Sequence, residues 1–395
     1  MNNRQLFLQH VAQTSPAPIG LEMVKAEGIY QFDVNGKKYV DLISGFSVCN
    51  IGHSNPKVIK AVQEQAEKYM HLIVYGEFIE SPQVQYAKML VDLLPENLNS
   101  VYFTNSGAEA TEGAMKLAKR YTGRSKIISF NKSYHGSTQG ALSVMGDEYF
   151  RNAFRPLLPD VFHVDYNDDE VFSLIDENTA CIVMETVQAE AGIIQPKKDW
   201  FKKIREKCTA TNTLLILDEI QAGFGRTGSL WAFQQFDIAP DILLLGKALG
   251  GGMPLGAFIS DINIMNSFTF NPVLGHISTF AGHPVSCAAG KAALEVLLDG
   301  ESIDNVKRKE KIIQDKIVHP KIKNLSTAGL WACIAFDSFE TNKKVIDKCI
   351  ENGLIADWFL FNPEGLRVAP PLIITDEELQ NVCEIILKSI DEAKL

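Results

Sequence analysis

The chain has 395 residues, of which 46% are hydrophobic and 22% charged, and its formal net charge is -10. This composition predicts an ordinary globular protein with one large core and a smaller second domain. The negative charge argues against a surface that binds nucleic acid or an anionic membrane, because such a surface needs an excess of cations to neutralise phosphates. A small molecule is therefore the expected partner.

The cysteines and the N-terminal segment indicate in which cellular compartment the protein is expected. The seven cysteines are odd in number and scattered, and no two form a Cys-x-x-Cys pair, so they predict reduced core thiols. The first 18 residues hold no apolar segment of signal-peptide length, and no later segment is long and uncharged enough to span a bilayer. We expect an unprocessed cytoplasmic protein.

The first predicted element is a β-hairpin, followed by a series of buried strands. Residues 28–40 alternate around Asn35-Gly36, a dipeptide that favours a tight hairpin turn. Short apolar runs then alternate with helical patterns, which predicts right-handed crossovers and a mostly parallel sheet with helices on both faces. These runs are residues 101–103, 126–130, 180–184, 214–217 and 242–245.

The C-terminal third has a different pattern. From about Ala288 a helical pattern is followed by amphipathic helices and by short strands near residues 331–336 and 366–368. We expect a large α/β domain over residues 50–287 and a smaller α+β domain, in which the N-terminal hairpin of residues 1–49 joins residues 288–395.

A helix is predicted to begin at Ser106 and to run to about Tyr121, directly after a strand. The first-turn amides of a helix have no intrahelical partner and lie at the positive end of its dipole. The backbone N–H groups of Ser106, Gly107 and Ala108, with the Ser106 hydroxyl, can therefore bind a phosphate group. Simple capping by Asn105 or Ser106 is an equally good interpretation.

Two further side chains follow predicted strands. Tyr134 comes after the strand at residues 126–130, where it can stack on a flat ring or pack as a core tyrosine. Asp218 directly follows the strand at residues 214–217, at the edge where parallel sheets bind ligands, and it needs a cationic partner. Arg226 is one candidate, and the protonated nitrogen of a bound pyridine ring is another.

The glycine-rich segment at residues 223–228 matches the dinucleotide pattern G-x-G-x-x-G, but its context does not fit. Five residues separate it from the strand, no helix clearly opens after it, and the position about twenty residues on is Ala248 rather than an acid. We interpret it as a loop. Motifs typical of zinc hydrolases, P-loop proteins and α/β-hydrolases are missing from the sequence.

Lys247 stands between the apolar run at residues 242–245 and the glycine-rich segment at residues 248–256. Burial at the end of such a strand disfavours the ammonium form, and a neutral amine can attack a carbonyl to form a Schiff base. An exposed lysine at a strand end is the alternative.

Taken together, these segments resemble the class III (ornithine, acetylornithine and ω-amino acid) family of pyridoxal-phosphate aminotransferases, from about residue 15 to residue 375. The resemblance implies a fold-type I transferase whose large domain binds pyridoxal 5'-phosphate. The matching segments are residues 39–42 with 52–56, 105–109, 134–136, 185–192, 217–228, 246–256, 276–284 and 367–372.

The resemblance implies a role for each candidate residue. Lys247 would form the Schiff base and Asp218 would hold the pyridine nitrogen, so these two are the expected catalytic residues. Gln221 would lie near the ring hydroxyl, Tyr134 would stack on the ring, and the segment from Ser106 through Gly107 to Ala108 would bind the phosphate.

Three further residues resemble family positions around the substrate and the subunit interface. Arg367 resembles the arginine that binds a substrate carboxylate, for which its planar fork is suited. Glu190 resembles the glutamate that pairs with this arginine in some members when an amine substrate is admitted, and a surface salt bridge is the alternative. Thr279 resembles the threonine that reaches the phosphate of the neighbouring subunit, which implies a homodimer with shared active sites.

The chain also departs from the family pattern. Ser137 stands where ornithine and acetylornithine enzymes usually carry an arginine for the far carboxylate, which weakens an ornithine-type assignment. Other departures are Thr186 for proline, Ala189 and Ala281 for glycine, and His283 for asparagine.

The expected function is a transaminase that moves an amino group from an ω-amino acid, an amine or an amino acid to a 2-oxo acid with ping-pong kinetics. An aminomutase, racemase or lyase would keep the same residues, and a non-catalytic binding protein is a further alternative. A nucleotide-binding oxidoreductase would rest only on residues 223–228. The amino donor, the acceptor, and dimer versus tetramer stay open.

Overall fold

The computed structural model describes residues 2–393, which form three β-sheets with helices packed around them. The strands are β1 (Met23–Glu27), β2 (Tyr30–Asp33), β3 (Lys38–Asp41), β4 (Ser100–Thr104), β5 (Lys126–Phe130), β6 (Val161–Val164), β7 (Thr179–Glu185), β8 (Leu214–Asp218), β9 (Ile242–Leu245), β10 (Gly256–Ser260), β11 (Asn324–Thr327), β12 (Ala332–Ala335), β13 (Leu354–Ile355), β14 (Trp358–Phe359) and β15 (Asn362–Val368).

The helices range from single turns to seventeen residues, and the shortest segment of this kind near the N-terminus, α2, is a left-handed turn with positive φ from Ser44 to Ser47. They are α1 (Asn3–His10), α2 (Ser44–Ser47), α3 (Pro56–Lys68), α4 (Ser81–Val91), α5 (Gly107–Thr122), α6 (Gln139–Ser143), α7 (Glu148–Arg151), α8 (Val171–Leu174), α9 (Lys198–Thr211), α10 (Ile262–Met265), α11 (Pro284–Asp299), α12 (Val306–Lys316), α13 (Phe339–Glu351) and α14 (Asp376–Glu392).

The central sheet has seven strands in the order β4-β10-β9-β8-β7-β5-β6. The pairs from β9 to β6 are parallel, whereas β10 is antiparallel to both β4 and β9. All five apolar runs of the sequence lie in strands of this sheet, so the predicted mostly parallel α/β sheet is confirmed. β10 was missed because it follows the glycine-rich segment after Lys247 closely, and β6 because its burial is only partial.

One of the two smaller sheets joins the N-terminal hairpin to the C-terminal third, and the other is built from the C-terminal third alone. β2 and β3 form the predicted hairpin, and β3 pairs in parallel with β13 from the C-terminal third, giving the order β1-β2-β3-β13. The other sheet has the order β11-β12-β15-β14 and contains both short strands that were predicted there. The domain boundaries at residues 50 and 287 stay a prediction.

The strands β7, β8 and β9 are buried along their whole length, which explains why they read as unbroken apolar runs. All seven cysteines are free thiols. Within residues 2–393, every helix falls short of the length or the apolar character that a membrane span requires.

Candidate active site

A cavity of about 250 Å³ lies beside the carboxyl ends of the central strands. Parallel strands end at one edge of their sheet, so the loops that follow them meet there. The structure brings seven of the ten predicted site residues to this cavity. These are Ser106, Gly107, Ala108, Tyr134, Asp218, Gln221 and Lys247.

The segment predicted to bind phosphate forms the first turn of α5. Ser106 has an extended backbone and caps the helix, its hydroxyl accepting a hydrogen bond from the Glu109 N–H at 3.2 Å. The capping interpretation is therefore confirmed, and binding of an anion by the amides of Gly107 and Ala108 stays a prediction. Gly136 allows the next loop to approach this turn: its φ is +123°, and a Cβ there would lie 2.5 Å from the Cβ of Ala108.

Asp218 ends β8 and is held on both carboxylate oxygens. Oδ2 lies 2.7 Å from Nδ1 of the buried His135, and Oδ1 accepts the N–H of Ile220 at 2.9 Å. The suggested partner Arg226 lies elsewhere: it donates to the carbonyls of Leu330 and Pro370. The Arg–Asp alternative is therefore wrong, because β8 ends at the cavity while the loop after it carries Arg226 towards the C-terminal segments.

The glycine-rich segment at residues 223–228 is a series of turns and opens no helix, as expected from its sequence context. Its arginine is fully buried and anchors Asn50 through a bond of 2.6 Å to Oδ1. The segment is structural, since it ties the central sheet to the N-terminal and C-terminal parts of the chain.

Lys247 begins a short 3₁₀ turn after β9, with a backbone φ of +48° that is unusual for a residue with a side chain. The side chain keeps some accessible surface because it lines the cavity, but protein surrounds the ammonium group. Burial lowers its pKa from 10.5 to about 8, against the opposing charges of Glu190, Asp218 and Glu185. The alternative of an exposed strand-end lysine is wrong.

A chain of polar contacts leads from the cavity to Arg367. Gln221, which lines the cavity, donates from Nε2 to Oε1 of Glu190 at 3.0 Å. Glu190 in turn receives Nη1 and Nη2 of Arg367 at 2.9 and 2.8 Å. Burial raises the pKa of Glu190, but the guanidinium outweighs it and brings the pKa to about 2. The side chains of Arg367 and Glu190 are only 2% and 9% exposed, so the surface salt bridge is ruled out.

Arg367 has partners that the sequence did not indicate. Asp357 accepts a hydrogen bond from Nε at 3.0 Å, and the rings of Phe359 and Phe46 lie 4.4 and 5.0 Å from the guanidinium carbon. Burial raises the pKa of Asp357 to about 6, against the opposing effect of the Arg367 charge. No motif marks Asp357, because it is brought to the arginine by the pairing of β14 with β15.

Glu185 and His135 were also missed, although both line the cavity. The Glu185 carboxylate accepts N–H groups of Tyr134 at 3.1 Å and Ala189 at 2.8 Å. Burial, with a smaller contribution from Asp218, raises its pKa well above the usual value. Glu185 ends β7 as Asp218 ends β8, so the strand-end position that singled out Asp218 could have found Glu185 too.

Tyr134 and Thr279 differ in their positions relative to the cavity. The Tyr134 hydroxyl lies 3.1 Å from the hydroxyl of Ser137, which also lines the cavity. Thr279 is exposed and does not line the cavity within this chain. Its contact with a neighbouring subunit stays a prediction.

Comparison with solved structures identifies the fold. Ornithine aminotransferase from Toxoplasma gondii, which holds pyridoxal phosphate at partial occupancy in its active site, superposes with a TM-score of 0.90 at 31% identity, covering 99% of this chain and 94% of that one. Adenosylmethionine-8-amino-7-oxononanoate aminotransferase from Methanocaldococcus jannaschii gives a TM-score of 0.92 at 29% identity, covering 99% of both chains. The chain therefore has the fold-type I architecture of pyridoxal-phosphate-dependent transferases.

The sequence comparison is more specific. The model of the aminotransferase class-III family matches residues 11–390, and the chain belongs to that family. Acetylornithine aminotransferase of Clostridium acetobutylicum is 36% identical over 379 residues, which cover 93% of this chain and 95% of that protein. The protein is a class III aminotransferase, and its cofactor is pyridoxal 5'-phosphate.

The cavity fits this cofactor chemically. The N-terminus of α5 offers amide groups to a phosphate, and Asp218 offers a carboxylate to a protonated ring nitrogen. Gln221 Oε1 is a buried acceptor without a hydrogen-bond partner among residues 2–393, which suits a ring hydroxyl.

Proposed function

We propose that the protein transfers an amino group from an ω-amino acid or amine to a 2-oxo acid, through two half-reactions that share one site. The observation that carries the proposal is the contact chain from the cavity through Gln221 and Glu190 to Arg367. With Glu190 on the guanidinium, Arg367 is not available to a carboxylate next to the reacting amine. The site then suits donors whose reacting carbon bears no carboxylate.

A 2-oxo acid has a carboxylate next to its reacting carbonyl and needs a cation there. Arg367 can supply it when Glu190 withdraws, because the fork of Nη1 and Nη2 that now binds Glu190 matches any carboxylate. Glu190 is thus proposed to alternate with the substrate carboxylate. This exchange lets one cavity accept an amine in one half-reaction and a 2-oxo acid in the other.

Lys247 and Asp218 are the proposed catalytic residues. Bound pyridoxal phosphate supplies a carbonyl carbon for the amine and an electron-withdrawing ring. Lys247, with a pKa near 8, is able to act as a nucleophile and as a proton carrier near neutral pH. Asp218, oriented by His135, is proposed to keep the ring nitrogen protonated.

The proposed cofactor-binding roles are based on which residues line the cavity. The amides of Gly107 and Ala108 with the Ser106 hydroxyl are proposed to hold the phosphate, Tyr134 to cover the ring face and Gln221 to meet the ring hydroxyl. Ser137 puts a small hydroxyl in the cavity wall, which leaves room for donor chains and adds no cation for a second carboxylate.

A homodimer is proposed from the exposed apolar side chains around Thr279. We call these side chains the apolar rim; they belong to residues 70–79 and 270–280, which meet where the rings of His71 and Phe280 are 4.7 Å apart. Large exposed apolar clusters mark protein interfaces. The rim consists of Met70, Leu72, Ile73, Phe78, Ile79, Phe270, Val273, Leu274, Ile277 and Phe280.

Thr279 lies between Ile277 and Phe280 of the apolar rim, and we propose that a second copy buries the rim and that Thr279 then reaches the partner's cavity. The seven free thiols support a reducing, cytoplasmic location for the dimer.

The test is spectroscopic. The visible absorption of the purified holoenzyme is followed while single donors are added without acceptor: ornithine, N-acetylornithine, 4-aminobutyrate, putrescine, butylamine and alanine. We expect amines or ω-amino acids to bleach the band and a 2-oxo acid to restore it.

Bleaching by alanine alone would contradict the proposed donor class. A band that no donor bleaches, with an isomerised or cleaved product found by mass spectrometry, would favour an aminomutase, racemase or lyase.

A further inference from the structure

Arg367 is held by two carboxylates that occupy different edges of its guanidinium. Glu190 binds the end formed by Nη1 and Nη2, at 2.9 and 2.8 Å. Asp357 binds the side, through Nε at 3.0 Å. A substrate carboxylate that binds Nη1 and Nη2 would take the place of Glu190, whereas Asp357 could remain bound to Nε. The two acids are therefore not equivalent.

The backbone around each acid differs as well. Asp357 directly precedes β14, and its carbonyl accepts the N–H of Arg367 at 2.9 Å, so both main chain and side chain of Asp357 are tied to β15. Glu190 lies in the turn between β7 and α9, and its carboxylate is held by Gln221 and by the N–H of Leu360. The main chain of Glu190 also reaches this region, because its carbonyl accepts the N–H of Phe361 at 3.0 Å, but of the two acids only Asp357 is bonded to Arg367 by both main chain and side chain.

Without a second anchor, Arg367 would lose both charge-assisted bonds when Glu190 leaves. A long side chain freed in this way gains rotamer entropy, and its fork no longer has a fixed position. The aromatic rings of Phe359 and Phe46 pack against the guanidinium group, but a ring face offers no directional acceptor that would fix the rotation of the guanidinium. Nη2 also donates to the Trp358 carbonyl at 3.2 Å, a longer bond to a neutral acceptor, so the charge-assisted bond at Nε is the stronger constraint on that rotation.

We propose that Asp357 is a positioning residue that holds Arg367 in place while its fork is exchanged between Glu190 and the carboxylate of the 2-oxo acid. The inference rests on the proposed function, in which Arg367 binds that carboxylate. Removal of Asp357 should weaken binding of the 2-oxo acid and spare the half-reaction with an amine donor, during which Glu190 still holds the arginine.

The negative charge of Asp357 repels Glu190 and a bound substrate carboxylate to a similar extent. Glu190 and a substrate carboxylate lie at the same fork, so repulsion from Asp357 largely cancels in their exchange. The hydrogen bond at Nε is then the feature that matters, and asparagine can keep it through its side-chain oxygen. Asp357→Asn is therefore the matched control for Asp357→Ala.

The experiment measures both half-reactions separately at pH 8, where Asp357 is ionised because its pKa is about 6. The probes are the amine or ω-amino acid that bleaches the wild-type band best and the 2-oxo acid that restores it best. For Asp357→Ala we expect the KM of the 2-oxo acid to rise about tenfold or more, the loss typical of a charge-assisted hydrogen bond. The donor half-reaction should stay within about twofold of wild type, and Asp357→Asn should keep the KM within about threefold.

Three results would overturn the inference: an unchanged KM for the 2-oxo acid in Asp357→Ala, an equal loss in both half-reactions, or an asparagine variant as impaired as the alanine variant. Circular dichroism establishes that each variant is folded. Arg367→Ala is measured alongside. If it leaves the KM of the 2-oxo acid unchanged, the proposed function itself fails; if it raises that KM while Asp357→Ala does not, only the role of Asp357 fails.

Discussion

At the scale of single residues, the site contains ionisable side chains that are buried although burial is unfavourable for their charged forms. Lys247 is the clearest case. Lys247 takes a backbone φ of +48° and lies where burial lowers its pKa to about 8. Strained backbone and shifted pKa values cluster at functional sites, because neighbouring structure must hold such residues in place. Both features of Lys247 therefore agree with the catalytic role proposed for it.

The variant Lys247→Met removes the amine that is proposed to be catalytic and keeps an unbranched apolar side chain in its place. We expect activity to fall by at least about a thousandfold in steady-state assays, because no other proposed residue supplies a nucleophilic amine. Stripped of cofactor, the variant should be more stable than the wild type at pH 7, by at most about 3 kcal/mol, since a pKa lowered from 10.5 to about 8 penalises the buried ammonium.

The sign of the pH dependence follows from that shift. Below pH 8 the lysine is charged in both folded and unfolded protein, and the folded state bears the full penalty. Between pH 8 and 10.5 the folded state releases its proton first, so wild-type stability rises towards that of the variant. Urea unfolding at several pH values measures this, and a stability gap that widens above pH 8 would contradict it.

At the scale of elements, the cavity is built by the loops that follow β5, β7, β8 and β9 and by the first turn of α5. The loop after β5 can approach α5 because Gly136 lacks a side chain and has a φ of +123°. A Cβ there would meet Ala108 in the proposed phosphate-binding turn. This contact couples the position of Tyr134 to that of the helix N-terminus.

Gly136→Ala tests the coupling, and Gly123→Ala at the other end of α5 is its control. Gly123 also has a positive φ, +69°, but nothing lies within 4 Å of the Cβ it would gain. Gly123→Ala should lose roughly 1 kcal/mol of stability from backbone strain, and Gly136→Ala should lose more, because its added Cβ also clashes with Ala108. Only Gly136→Ala should also bind cofactor at least about tenfold more weakly, as measured by titration of the stripped protein. Equal cofactor affinities in the two variants would contradict the coupling.

At the scale of the whole molecule, the apolar rim is the surface that a monomer would leave in water. Ile79 in this rim is 94% exposed, and Thr279 lies in the second of its two segments. In the proposed dimer, association through the rim would bury these side chains and bring Thr279 to the partner's cavity. Self-association and activity should therefore be linked.

Ile79→Asp should weaken self-association by about tenfold or more and lower activity at low protein concentration, because a charge is costly in a buried apolar interface. Val318→Asp is the control, since Val318 is 73% exposed but lies outside the rim. Analytical ultracentrifugation with parallel assays measures both effects. An Ile79→Asp protein that associates as the wild type does would place the interface elsewhere.

The sequence by itself determined the parallel sheet, the hairpin at Asn35-Gly36 and the candidate residues at Ser106, Asp218 and Lys247. These are local signals: an apolar run buried on both faces, a turn dipeptide, and polar residues directly after strands. The strand-end rule worked because the carboxyl ends of parallel strands meet at one edge regardless of what the loops do afterwards.

Only the tertiary structure decided which charges meet. His135 rather than Arg226 faces Asp218, and Arg226 instead joins distant carbonyls. Asp357 joins Arg367 through the pairing of β14 with β15, a contact that carries no spacing signal. The partner of a buried charge is chosen by where loops and strands bring their side chains, and that depends on the packing of segments far apart in the chain.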